Sequence, residues 1–166
     1  MVLLRHKITQ IQLPRPLYLF IILLLTASCA SQKAKQRAQQ VDAVISTART
    51  YMGTPYKYGG TSRAGMDCSA LTTHAYNSIN LSLPRSAEDQ SNVGQKIKQK
   101  DIQPGDLVFF ATGKRRRKVT HVGLVVDVRR NNVKFIHAST SLGVIETDLA
   151  QDYYAKRYRG ARRIID

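Results

Sequence analysis

The chain has 166 residues, with 26 Lys and Arg against 11 Asp and Glu for a net charge of +15, two cysteines and no tryptophan. That length suits a leader plus one domain able to bury a core without disulfide help, and it excludes a second folded domain. Arg5, Lys7 and Arg15 fall in the leader, so the mature chain keeps 23 basic residues against 11 acidic ones, a net +12 that attracts polyanions in a salt-dependent way.

Taken in order, Met1 to Ser28 reads as a secretory signal. Basic residues come first, Leu17 to Leu25 forms an apolar segment too short for a comfortable membrane span, and Thr26, Ala27 and Ser28 are small. Ser31 to Gln40 is rich in Lys, Gln, Arg and Ala without apolar periodicity, which reads as a solvated tether or an extension of the next helix. Val41, Val44, Ile45, Ala48 and Met52 follow helical spacing until Gly53-Thr54-Pro55 stops the run. A second helix is predicted from Cys68 to Ile79, and Ser86 caps a short one with Glu88 and Asp89 in its first turn. Lys96, Lys98 and Lys100 alternate in a polar connector.

After the Pro104-Gly105-Asp106 turn the pattern changes to strands. Leu107 to Ala111, Val119 to Val128, Val133 to Ala138, Val144 to Thr147 and Arg157 to Ile165 are β-branched or alternating runs, and Asn131-Asn132 marks a hairpin turn. Helices first and strands second is an α+β order, with N-terminal helices packed on an antiparallel sheet, and it argues against a βαβ dinucleotide fold.

The stretch from Tyr56 to Leu71 carries the chemistry. Glycines 59, 60 and 65 deliver Cys68 to a helix start behind Asp67, a good N-cap. Unpaired amides and the helix dipole there favour a thiolate. A lone cysteine is more often buried packing, but His121 and His137 recur downstream in apolar runs, as a cysteine nucleophile requires for its base and an orienting group. His74, six residues past Cys68, falls on a different helix face. The histidines fit no compact ligand spacing, so neither a metal nor another cofactor is expected.

Six blocks then occur in order: Tyr56-x-x-Gly59-Gly60, Asp67-Cys68-Ser69, Leu83-Pro84-Arg85-Ser86, Pro104-Gly105-Asp106-Leu107, His121-Val122-Gly123 and His137-Ala138-Ser139-Thr140-Ser141. Together they resemble the NlpC family of papain-like cell-wall peptidases, and most closely its short single-domain lipoprotein members with murein endopeptidase activity. The likeness runs from about Val41 to the C-terminus and departs from many relatives at Ala70, where they have Gly.

The resemblance implies a papain-like cysteine peptidase acting on peptidoglycan stem peptides or crosslinks, with Cys68 as nucleophile, His121 as general base and His137 as its orienting group. It further implies Tyr56 as an oxyanion donor beside the Cys68 amide, and Asp67 and Ser69 at positions that hold the stem peptide. Arg85 either pairs with a substrate carboxylate or sits on the surface. A non-catalytic wall-binding lipoprotein is the alternative reading. Leu25-Thr26-Ala27-Ser28-Cys29 resembles a lipoprotein cleavage site, implying an acylated Cys29, a tether over 29–40 and a peptidase domain over 41–166. A plain secretory leader or an uncleaved anchor are the alternatives there. Ala30 resembles the sorting pattern for the periplasmic face of the Gram-negative outer membrane. In that setting the +12 charge steers toward wall carboxylates and anionic lipid, with no nucleic-acid partner and a monomer expected. The run Lys114 to Lys118 reads as a solvated loop or as a clamp for such anions.

Overall fold

A computed structural model of the chain describes residues 15–115, 117–130 and 132–165, with side chains from Ser31 onward. The basic start of the leader, Arg116 and Asn131 lie outside the described residues, as does the Cys29 side chain. Among the described residues no helix is long and apolar enough to cross a membrane. The described residues from Arg37 onward form one compact unit and those before it another.

Helix α1 spans Arg15–Arg49, so the stretch expected as a tether is helical. Its Ala, Lys, Gln and Arg are strong helix formers, and no Gly or Pro interrupts them after Pro16. Apolar periodicity begins only at Val41, and from there Val41, Val44, Ile45 and Ala48 are buried in the core. The helix ends before Gly53, which takes the left-handed conformation at φ 78°.

A two-strand ribbon follows, β1 (Thr61–Ser62) against β2 (Gly65–Met66), and then helices α2 (Cys68–Asn77) and α3 (Ala87–Gln90). The remaining elements are β3 (Gln95–Ile97), β4 (Leu107–Phe110), β5 (His121–Arg129), β6 (Asn132–Ser139), β7 (Gly143–Asp148), a short α4 (Asp152–Ala155) and β8 (Tyr158–Arg163). They build a six-stranded antiparallel sheet in the order β3-β8-β4-β5-β6-β7. The five expected strands are present within a few residues. Strand β3 lies where the alternating lysines predict a polar connector, a composition that equally suits the exposed edge it forms against β8.

Both faces of the sheet are covered, which is why β4 reads as an unbroken apolar run. Successive side chains alternate between the faces. Leu107, Phe109, Val122, Leu124, Ile136 and Ala138 join the helices in one core, whereas Val108, Phe110, Val125 and Phe135 form a second core against which Tyr154 of α4 packs. Asp106, fully buried at the turn before β4, accepts from Arg163 Nε at 2.8 Å and Nη2 at 2.8 Å and from the Gln103 amide at 2.9 Å. That satisfied buried charge fixes the end of β8 to the start of β4.

Candidate active site

Asp67 opens α2 with an extended backbone, and its Oδ1 accepts from the Ala70 amide at 2.8 Å, so Cys68 is the first residue of the helix, as the sequence predicts. The loop before it is held by close backbone approach. A Cβ on Gly60 would lie 2.4 Å from the Gly65 carbonyl oxygen, and the Gly59 amide donates to Asp67 Oδ2 at 3.1 Å. On the far side, buried Gln90 of α3 donates to the Pro84 carbonyl at 2.8 Å and accepts from Thr72 of α2 at 2.8 Å, which fixes the segment carrying Arg85 against the helix.

Arg85 donates to Asp67 Oδ1 at 2.9 Å through Nη1 and to Oδ2 at 2.6 Å through Nη2, and also to Ser69 Oγ at 2.8 Å. Ser69 in turn donates to Asp67 Oδ1 at 3.0 Å. Burial raises the Asp67 pKa, but bonds from Arg85, Ala70 and Ser69 outweigh it and hold the carboxyl below its usual range. The guanidinium is therefore already committed within the chain, neither idle on the surface nor free of a carboxylate partner. Tyr56, Asp67, Cys68, Ser69, Arg85 and Lys118 line one cavity of about 530 Å³. Tyr56 is half-buried there, and its phenol pKa is raised by burial first and then by Cys68 and Asp67.

Cys68 is 7% exposed and is a free cysteine. Its thiol pKa is pushed up to about 11, chiefly by burial and further by the Asp67 charge, against amides of Val122, Ser69 and Cys68 itself that lower it. This corrects the expected resting thiolate. The helix start acts in the predicted direction, but desolvation of the charged sulfur is larger. The Val122 amide that meets the sulfur belongs to the residue after His121, so the thiol sits beside the head of β5.

His121 and His137 are brought together on adjacent strands. His121 Nε2 lies 3.0 Å from His137 Nδ1, and the rings meet edge to face with centroids 5.0 Å apart. Beyond them, His137 Nε2 lies 3.0 Å from Thr147 Oγ1 and 3.3 Å from Tyr154 Oη. Burial lowers the pKa of His121 to about 4, and burial with the His121 charge lowers that of His137 to about 3. Both rings are thus neutral at pH 7, the form a general base requires. His121 opens not on the Cys68 cavity but on a second one of about 440 Å³, lined by Thr112, Ser139, Leu142, Gln151 and Tyr153 among others. The hydroxyls of Thr112 and Thr120, 3.0 Å apart, join the rims of the two cavities.

Sequence reasoning missed Thr147 and Tyr154. The available signal was strand register. Ile145 pairs with His137 and Thr147 with Phe135, which places Thr147 on the same face as His137, one diagonal step away. His74 is accounted for structurally, with Nε2 2.7 Å from the Thr61 carbonyl oxygen and its ring stacked on Tyr51. No group of His, Cys, Asp and Glu suited to a metal ion occurs among the described residues.

Comparison with known proteins agrees with this architecture. The chain is 38% identical over 154 residues to the protein named Probable endopeptidase NlpC of Escherichia coli K12, covering 88% of this chain and 97% of that one. It is 36% identical over 116 residues to the Murein DD-endopeptidase MepS/Murein LD-carboxypeptidase of the same organism, covering 69% of this chain and 58% of the relative. The crystal structure of an NlpC/P60 family protein from Bacillus cereus superposes with a TM-score of 0.68 at 32% identity, over 76% of this chain and 40% of that one. The sequence pattern described as the NlpC/P60 family matches residues 53–163, and the chain belongs to that family.

Proposed function

We propose that this chain is a cysteine endopeptidase that hydrolyses amide bonds in the stem peptides or crosslinks of peptidoglycan, for remodelling of the cell wall. The observation that carries the reading is the placement of Cys68 at the first position of α2, open to a cavity and beside the head of β5, whose first residue His121 meets His137 of β6. Kinship with one protein named a probable endopeptidase and another named a murein DD-endopeptidase supports the substrate class.

In the cycle this implies, the Cys68 thiol gives its proton to neutral His121 as the sulfur bonds to the scissile carbonyl carbon. The oxyanion accepts hydrogen bonds from the Cys68 backbone amide and the Tyr56 phenol. Collapse breaks the carbon–nitrogen bond, and the His121 imidazolium protonates the departing amine. Water, deprotonated by His121, then cleaves the thioester and the thiol is restored. The Asp67–Arg85–Ser69 cluster forms part of the cavity wall and presents the remaining guanidinium surface to the stem peptide.

We place the mature enzyme in the cell envelope, anchored through acylated Cys29 on the periplasmic face of the outer membrane, with the D-Ala to diaminopimelate crosslink as the favoured bond over the γ-D-glutamyl to diaminopimelate bond. Digestion of purified sacculi followed by mass analysis of the released muropeptides tests the activity and the bond together. Loss of crosslinked dimers with gain of monomers supports the crosslink. Release that is insensitive to thiol reagents overturns the cysteine mechanism. Incorporation of labelled palmitate that disappears in Cys29→Ala tests the anchor.

A further inference from the structure

We propose that Thr147 is a positioning residue for the reaction: its hydroxyl accepts the His137 Nε2 proton and thereby sets both imidazoles in the tautomer that leaves His121 able to act as a base. The proposal rests on the catalytic roles given to His121 and His137 above.

One chain of contacts runs from His121 through His137 to two hydroxyls, and each contact in it holds a single proton. His121 uses Nε2 to meet His137 Nδ1 at 3.0 Å, so the nitrogen left for a substrate or thiol proton is Nδ1. Nδ1 has a lone pair in the neutral ring only when the proton is on Nε2. Nε2–H must then donate to His137 Nδ1, which must be bare, and so the proton of His137 must sit on its own Nε2 and find an acceptor there. Two oxygens lie within reach, Thr147 Oγ1 at 3.0 Å and Tyr154 Oη at 3.3 Å.

The two are not equivalent. An aliphatic hydroxyl accepts well, whereas a phenol is the better donor, and burial keeps the Tyr154 phenol protonated by raising its pKa to about 12. If Tyr154 donates to His137 Nε2, every proton in the chain reverses. His137 then carries Nδ1–H, His121 accepts it at Nε2, and His121 Nδ1 holds a proton where the base is needed. Thr147 is 6% exposed and His137 fully buried, so water does not freely replace the missing acceptor. The nearer hydroxyl thus selects the active arrangement and the farther one opposes it.

The test combines long-range ¹H–¹⁵N spectra of the full protein labelled at histidine, which report the tautomer of each ring without substrate, with kinetics on a purified crosslinked muropeptide. Wild type is expected to show Nε2–H on both rings. Thr147→Val, close in shape, is expected to shift His137 and His121 toward Nδ1–H and to lower kcat at least about 10-fold with little change in KM. Thr147→Ser restores both readings, and Tyr154→Phe added to Thr147→Val removes the opposing donor and recovers part of the lost kcat. Nδ1–H rings in wild type overturn the proposal, whether or not any variant folds. So does a folded Thr147→Val protein with unchanged tautomers. If the chain has no peptidase activity the spectra still decide the proton arrangement, so failure of the functional reading and failure of this one are separable.

Discussion

Arg85 grips both carboxylate oxygens of Asp67, at 2.9 and 2.6 Å, across 18 residues of sequence. Asp67 is thereby N-cap, partner of a planar cation and immediate chain neighbour of Cys68 at once. Together with the Gln90 bonds to Pro84 and Thr72, the pair holds the segment carrying Arg85 against the Cys68 helix.

Removing the guanidinium with Arg85→Ala leaves a largely buried carboxylate to the Ala70, Ser69 and Gly59 donors alone. With the Arg85 side chain about half exposed, the expected loss is about 1–2 kcal/mol after allowance for solvent screening. Lys at the same place cannot reproduce the two-pronged contact and should recover little of it. Urea unfolding of Arg85→Ala and Arg85→Lys checks this. Wild-type midpoints in both would show that the pair contributes nothing to stability.

With Cys68 as the proposed nucleophile and His121 as the proposed base, the pH dependence of kcat/KM follows from the burial of both. His121, lowered to about 4, is an unprotonated base above that pH, and Cys68, raised to about 11, keeps its proton until that pH. The thiol–imidazole pair therefore holds its one transferable proton throughout the interval between them. A broad plateau is expected, falling on the acid side toward pH 4 as His121 protonates and on the alkaline side toward pH 11 as the proton for the leaving amine is lost. Alkylation of Cys68 by iodoacetamide in the free enzyme should keep rising well past pH 9. Saturation below pH 8.5 would instead indicate a preformed thiolate.

How much of this was readable beforehand depends on the range of the interaction involved. The position of Cys68 was legible because an N-cap and a glycine-punctuated loop act over a few residues. Strands β4 to β8 were legible because their apolar and β-branched runs are local signals too. The helix through residues 31–40 was ambiguous, since propensity supports it while apolar periodicity is lacking there. Desolvation of the sulfur was not legible, because it depends on how distant parts of the chain pack around Cys68, and neither was the Val122 amide that partly opposes it from more than 50 residues away. Nor was the commitment of Arg85 to Asp67, or the extension of the histidine pair to Thr147, which depends on the pairing of β6 with β7. In each case the missing information was the identity of a distant neighbour.

Acid stability should report the histidine pair directly. In the unfolded chain each ring titrates near 6.5, whereas in the fold burial depresses them to about 4 and about 3. Between those limits the unfolded state binds more protons, so stability rises with pH across the window and is lost as pH falls from 6.5 toward 4. Equilibrium urea titrations at half-unit steps check the sign. A midpoint independent of pH over this interval would mean that the rings are not buried as neutral groups.

Lys118 makes an ion pair with Glu88 at 2.8 Å, and both line the Cys68 cavity at the end of the basic run. Replacing residues 114–118 with Ser should weaken sedimentation with sacculi at low salt. The difference should vanish near 1 M salt, where the screening length is about 3 Å. Equal binding by both proteins at low salt would make the run an ordinary solvated loop.

The central claim is that the sulfur of Cys68 becomes covalently joined to substrate, and acid quenching during turnover of a crosslinked muropeptide, followed by peptide mass analysis, tests it most directly. A thioester adduct with the mass of the acyl fragment is expected on the peptide containing Cys68 in wild type, with neither adduct nor turnover in Cys68→Ala. Turnover at the wild-type rate by a folded Cys68→Ala protein would contradict it.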